Sequence, residues 1–99
     1  MLGNNQFTGT IPKEIGFING IWQFDMSRNR LEGEIPSTIE NWKGAIDIRL
    51  YRNELVGKIP HGIGSLMSLL HLQLHENALT GQLPDTLFDL THMIELTLN

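Results

Sequence analysis

The 99-residue chain contains no cysteine, so neither a disulfide framework nor a thiolate metal site is open to it. Basic residues are few. Seven Lys+Arg stand against eleven Asp+Glu for a formal charge of −4, and they do not form the basic stripe that nucleic acid or an anionic membrane surface requires. No apolar run approaches membrane-spanning length, and the opening Met-Leu-Gly-Asn-Asn-Gln has neither the basic nor the apolar region of a signal peptide. No Asn-x-Ser/Thr sequon occurs. A chain this short buries a limited share of its surface in a single compact core, and no staple is available to compensate.

What the chain has instead is repetition. Its four prolines fall at Pro12, Pro36, Pro60 and Pro84, a period of 24 residues; chance agreement of that kind is on the order of one in ten thousand. Asn5, Asn29, Asn53 and Asn77 share the period, as do Gly9, Gly33, Gly57 and Gly81, and Ile11, Ile35, Ile59 and Leu83 precede the prolines. Seven apolar columns complete the unit. They start from Phe7, Ile15, Ile18, Ile21, Trp22, Phe24 and Met26, and each recurs in phase, so that Trp22 heads Ile46, Leu70 and Ile94 while Ile18 heads Trp42, Leu66 and Leu90. Read this way, both tryptophans are core residues.

Residues 22–26, 46–50, 70–74 and 94–98 alternate apolar and mostly polar, which predicts strands with one buried face. Stacking the repeats makes these strands parallel and turns each column into a surface row. The asparagine after each strand sits where the chain turns inward, and a buried amide there satisfies backbone groups that an apolar residue could not. Asn5, Asn29, Asn53 and Asn77 therefore read as a structural ladder. The glycine column suits a positive φ, and each proline forces its predecessor toward extended geometry, so the return arm runs extended and then turns. Ser37-Thr38-Ile39-Glu40 predicts one helical turn opened by a capping box and ended by Asn41.

The pattern L-x-x-L-x-L-x-x-N-x-L-x-G-x-I-P closely resembles the leucine-rich repeat, in its plant-type 24-residue subclass, over the whole chain. The resemblance implies an α/β-type solenoid, a right-handed superhelix with a parallel concave β-sheet and short helical or 3-10 turns on the convex side. Residues 1–20 and 93–99 are then partial repeats flanking full ones at 21–44, 45–68 and 69–92. Family members usually carry cysteine-containing caps and a signal peptide. This chain has neither, and its ends align inside strands, so it reads as an internal fragment of an ectodomain from a receptor-like kinase or receptor-like protein. The resemblance further implies an extracellular or cell-surface location and a role in recognising a protein or peptide.

The concave rows can be written from the period. The first is Gln23, Asp47, His71 and Glu95; the second Asp25, Arg49, Gln73 and Thr97; the third Ser27, Tyr51, His75 and Asn99; the fourth Asn4, Arg28, Arg52 and Glu76. The candidate binding residues are Asp25, Arg28, Asp47, Arg49, Tyr51, Arg52, His71, Gln73, His75 and Glu76, because guanidinium groups grip carboxylates and an aromatic ring adds contact area at small entropic cost. Against this stands a solvated face with incidental ion pairs such as Asp25 with Arg49 and Arg52 with Glu76. His71 is flanked in its row by Asp47 and Glu95.

Neither catalysis nor metal binding has a pattern to support it. His71 and His75 lie four strand residues apart, roughly 13 Å, too far to share an ion. Ser27 and His75 are two strands apart with no orienting carboxylate, Asp47 and Glu95 would lie on an open face, and Gly62-x-Gly64 belongs to a repeat turn. The chain is therefore read as a non-enzymatic binding module with no cofactor and no metal. The alternatives are structural spacer repeats or an intracellular scaffold. Apolar residues at the ends, Phe7, Ile11, Leu96 and Leu98, predict self-association.

Overall fold

The computed structural model describes residues 5–81, 84, 85 and 87 and the backbone of residues 95–97. Each repeat runs strand, corner, strand, corner, 3-10 turn. In chain order the strands are β1 (Thr8–Thr10), β2 (Gln23–Asp25), β3 (Arg30–Glu34), β4 (Asp47–Arg49), β5 (Glu54–Gly57), β6 (His71–Gln73), β7 (Ala78–Leu79) and β8 (Glu95–Thr97). Three 3-10 turns, Lys13–Phe17, Ser37–Asn41 and His61–Ser65, follow the first three prolines. The chain is thus an α/β-type solenoid with a parallel sheet on one side and short turns on the other.

The concave sheet has strand order β2-β4-β6-β8, every pair parallel. Its register is the sequence period: Gln23 faces Asp47, Asp47 faces His71 and His71 faces Glu95. Hydrogen bonds continue past the strand ends, Met26 N donating to Arg49 O at 2.9 Å and Arg52 N to His75 O at 3.0 Å. A second parallel sheet, β1-β3-β5-β7, stands where only an extended return arm was predicted. Its partners are offset by 22 residues, as in Thr8 with Arg30. The segment pairs because it presents a regular ladder before each proline, and the residue without an N–H comes after the ladder has ended. Gly33 and Gly57, at φ of 77° and 80°, let those strands bend toward the turns.

The layers between are apolar. Ile48, Leu55, Leu66, Leu69 and Leu72 are completely buried, with Leu31, Ile39, Leu50, Ile63 and Leu74 beside them. Each such side chain contributes about 1.5–3 kcal/mol relative to exposure, and it does so only against the repeat above or below. Trp42 belongs to this core, tilted against Phe24 with ring centroids 4.8 Å apart and donating Nε1–H to Ile15 O at 3.0 Å.

Three expectations need correction. Trp22 is not a core residue: it is 62% exposed, and Ile46 below it is also exposed. Trp22 O accepts from both Ile46 N and Asp47 N, a bulge-like convergence of successive N–H groups that breaks the alternation of sides one residue before the strand. The Ser37 capping box does not form either. Pro36 occupies the cap position with no side-chain hydrogen bond, Asn41 lies inside the turn, and Thr38 Oγ1 donates instead to Lys13 O in the previous repeat at 2.6 Å. Finally, Ile11 is buried and forms no apolar end face, while Phe7, Phe17, Ile18 and Trp22 are exposed. Leu96 and Leu98, named in the same expectation, have side chains outside the described residues.

Candidate functional site

The concave rows are presented by strands β2, β4 and β6, and the asparagine column fixes where those strands stop. Asn53 is buried at the corner. Its Oδ1 accepts from Leu31 N at 3.1 Å, and its Nδ2 donates to Met26 O at 2.9 Å and Leu50 O at 3.1 Å, so one amide ties its own strand to the previous repeat. Asn77 repeats the pattern with Leu55 N, Leu50 O and Leu74 O, and Asn29 bonds Phe7 N, Met26 O and Ser27 O. Asn5 is exposed.

The residues just before these asparagines, Arg28, Arg52 and Glu76, all have φ of 57°. Non-glycine residues in this left-handed region carry a backbone cost of order 1–3 kcal/mol, which the surrounding hydrogen bonds must hold in place. The sequence contained one hint of this: Asn4, in the same column, is a residue type that tolerates the region.

Two clusters of side chains arise on this scaffold. In the first, Arg49 folds back along its own strand onto Asp47, with Nε at 3.0 Å from Oδ1 and a terminal guanidinium nitrogen 2.8 Å from Oδ2. The hydrogen bond that Arg49 donates to Asp47 raises the Arg49 pKa. The expected cross-strand pair of Asp25 with Arg49 is therefore replaced: Asp25 Oδ1 accepts from Ser27 N and from Ser27 Oγ at 2.6 Å. Asp47 and Ser27 are both buried, so neither offers its side chain to a large ligand; Asp47 acts on the face by orienting Arg49.

The second cluster spans three repeats. Tyr51 and His75 stack with ring centroids 4.6 Å apart and planes 7° from parallel, a spacing that adjacent strands impose. The Arg28 guanidinium lies over the Tyr51 ring at 5.9 Å from its centroid. Arg52 Nε donates to Glu76 Oε2 at 2.6 Å, and His75 Nε2 lies 3.9 Å from the same oxygen. The Arg52–Glu76 pair anticipated from the sequence is present; the aromatic stack and the arginine over it were not anticipated. His71 and Gln73 are partly exposed on β6, and the backbone register sets Asp47 and Glu95 on either side of His71.

The Arg52 guanidinium holds the Glu76 carboxyl below the usual carboxylate range. A lowered carboxylate pKa contributes stability that is present above its unfolded value and lost as pH falls through the lowered one. Because both groups are exposed, salt weakens the effect. We expect Arg52→Gln to move the Glu76 carboxyl titration upward in a carbon-detected NMR pH series. An unmoved titration would mean the pair does not persist in solution.

Among the described residues no group of three His, Cys, Asp or Glu side chains is arranged to hold a metal ion, and no helix is long and apolar enough to cross a membrane.

A family model described as Leucine Rich Repeat matches residues 21–42 and 68–90. Comparison with curated protein sequences finds no match. Solved structures do match. The chain is similar to one in the BIR3–SERK2 complex from Arabidopsis thaliana, at 30% identity and a TM-score of 0.84, covering 98% of this chain and 54% of that one. It is similar to PEPR1–AtPEP1 at 31% identity and a TM-score of 0.94, covering 97% of this chain and 14% of that one. The ectodomain of the Arabidopsis receptor kinase HAESA, solved with an extended IDA peptide hormone ligand, matches at 31% identity and a TM-score of 0.94, covering 98% of this chain and 17% of that one. The chain thus spans little more than half the length of the first of these and a small part of the others.

Proposed function

The chain is built of plant-type leucine-rich repeats, and from that premise we propose that it is a recognition module binding a protein or peptide ligand across its concave sheet. We place it within the extracellular part of a receptor-like protein. The observation that carries this reading is the Arg28–Tyr51–His75–Arg52–Glu76 cluster, which draws on three successive repeats and puts arginine and aromatic surface on the exposed side of a sheet fixed from behind. Such residues dominate binding energy where they occur at interfaces. The HAESA ectodomain was solved with a peptide hormone ligand and the BIR3–SERK2 structure is of a complex, which supports a protein or peptide as the ligand here. The function needs no bond-making step. Binding would follow from rows of side chains whose spacing is set by the strands.

Peptides selected from a random display library on the folded chain test the reading. Replacing Arg49, Tyr51 and Arg52 together by alanine should weaken the selected peptides by about 2 kcal/mol or more, roughly thirtyfold in Kd. A control variant, Lys13→Ala with Lys43→Ala on the convex side, should bind as the parent does. If the concave variant keeps its fold and binds unchanged, the repeats act as a spacer and not as the recognition surface.

A further inference from the structure

The corner between the first 3-10 turn and β2 reads Asn19-Gly20, whereas the same corner is Lys43-Gly44 and Met67-Ser68 in the next two repeats. We propose that Asn19 is a site of spontaneous covalent modification, where the side chain cyclises onto the following backbone nitrogen and opens to aspartate or isoaspartate. In the first step the deprotonated Gly20 nitrogen attacks Asn19 Cγ, the Cγ–Nδ2 bond breaks and ammonia leaves, giving a succinimide. Water then adds to one of the two ring carbonyls. Cleavage of the bond from nitrogen to Cγ gives aspartate; cleavage of the bond from nitrogen to the Asn19 main-chain carbonyl carbon gives isoaspartate.

The fold leaves both reacting groups open. Asn19 and Gly20 are exposed, and the Asn19 amide and Gly20 nitrogen make no hydrogen bond to other described residues. Gly20 has φ of 79°, and a Cβ built there would meet nothing within 4 Å, so no side chain crowds the approach of nitrogen to Cγ. The other described asparagines differ. The amides of Asn29, Asn53 and Asn77 are held at both ends by backbone partners, which removes the rotation that cyclisation needs. Asn41 is exposed, but the nitrogen that would attack it belongs to Trp42 and already donates to Ile39 O at 2.9 Å. Asn5 is followed by Gln6, whose side chain hinders the ring.

Modification would add a negative charge to a chain already at −4, three residues before Trp22 and four before the first residue of β2. Isoaspartate would also lengthen the backbone of that corner by one carbon. The experiment is to incubate the folded 99-residue chain in mildly alkaline buffer made with heavy-oxygen water, then map its peptides by mass spectrometry. Replacement of NH by labelled oxygen should accumulate at position 19 ahead of every other asparagine, be absent in Asn19→Gln, and appear as isoaspartate to a protein carboxyl methyltransferase. Label arising at Asn5 or Asn41 as fast as at Asn19 would overturn the proposal. So would reaction at Asn19 in the urea-unfolded chain with none in the folded one, because the corner would then be shielded.

Discussion

Asn53→Ala is expected to lower the unfolding free energy by about 1–3 kcal/mol, the cost of leaving the buried Leu31 N–H unsatisfied, while Met26 O and Leu50 O each keep a bond from the amide of Asn29 or Asn77. The amide of Asn53 accepts from Leu31 N and donates to Met26 O and Leu50 O, so its loss loosens the corner of its own repeat and the seam to the previous one. Asn53→Asp separates the two halves of that role. A carboxylate still accepts from Leu31 N but cannot donate to the carbonyls, and it places a charge in a buried corner. It should therefore destabilise at least as much as alanine at neutral pH and recover part of the loss on acidification, as the protonated acid regains one donor. Urea unfolding followed by far-ultraviolet circular dichroism checks both variants. A loss of less than about 1 kcal/mol for Asn53→Ala would mean that water enters the corner and takes over the amide's hydrogen bonds.

The period and most of the core were legible in the sequence because stacking demands the same chemistry at every level: a leucine at 31 is buried only if 55 and 79 are apolar too. Register followed from the same fact, and Gln23, Asp47 and His71 do lie side by side. What escaped was whatever depends on a single side chain's choice between partners of equal type. Asp25 and Asp47 lie near Arg49, and nothing in the spacing says that Asp47 takes the arginine while Asp25 turns to Ser27. Thr38 had a local helix end and a carbonyl of the previous repeat within reach, and it took the carbonyl. The left-handed backbone at Arg28, Arg52 and Glu76 was hidden for a different reason. These are not residue types that favour positive φ, so the local sequence speaks against a conformation that the inward turn of the following asparagine imposes.

Trp22 and Trp42 provide the sharpest contrast between pattern and packing, because apolar periodicity treats them alike. Trp42→Ala is expected to cost about 3–5 kcal/mol, the range for deleting a large aromatic side chain from a core. The indole is 3% exposed, leans on Phe24 and donates to Ile15 O, so alanine leaves a cavity and removes one of the two hydrogen bonds that Ile15 O accepts. Trp22→Ala should cost less than about 1 kcal/mol, because the side chain is exposed and the bulge-like bonds are made by the Trp22 main-chain oxygen, which alanine keeps. Trp42→Phe isolates the hydrogen bond: the ring volume mostly remains while the indole donor to Ile15 O is lost and Ile18 N still bonds that oxygen, for an expected cost of roughly 0.5–1.5 kcal/mol. Thermal unfolding with tryptophan fluorescence distinguishes the two positions. The Trp22→Ala protein, retaining only Trp42, should emit at short wavelength and shift red on melting. The Trp42→Phe protein, retaining only Trp22, should emit near the position of solvent-exposed indole before it melts. Equal losses of stability at the two positions would restore Trp22 to the core and remove the bulge-like turn before β2 as the cause of its exposure.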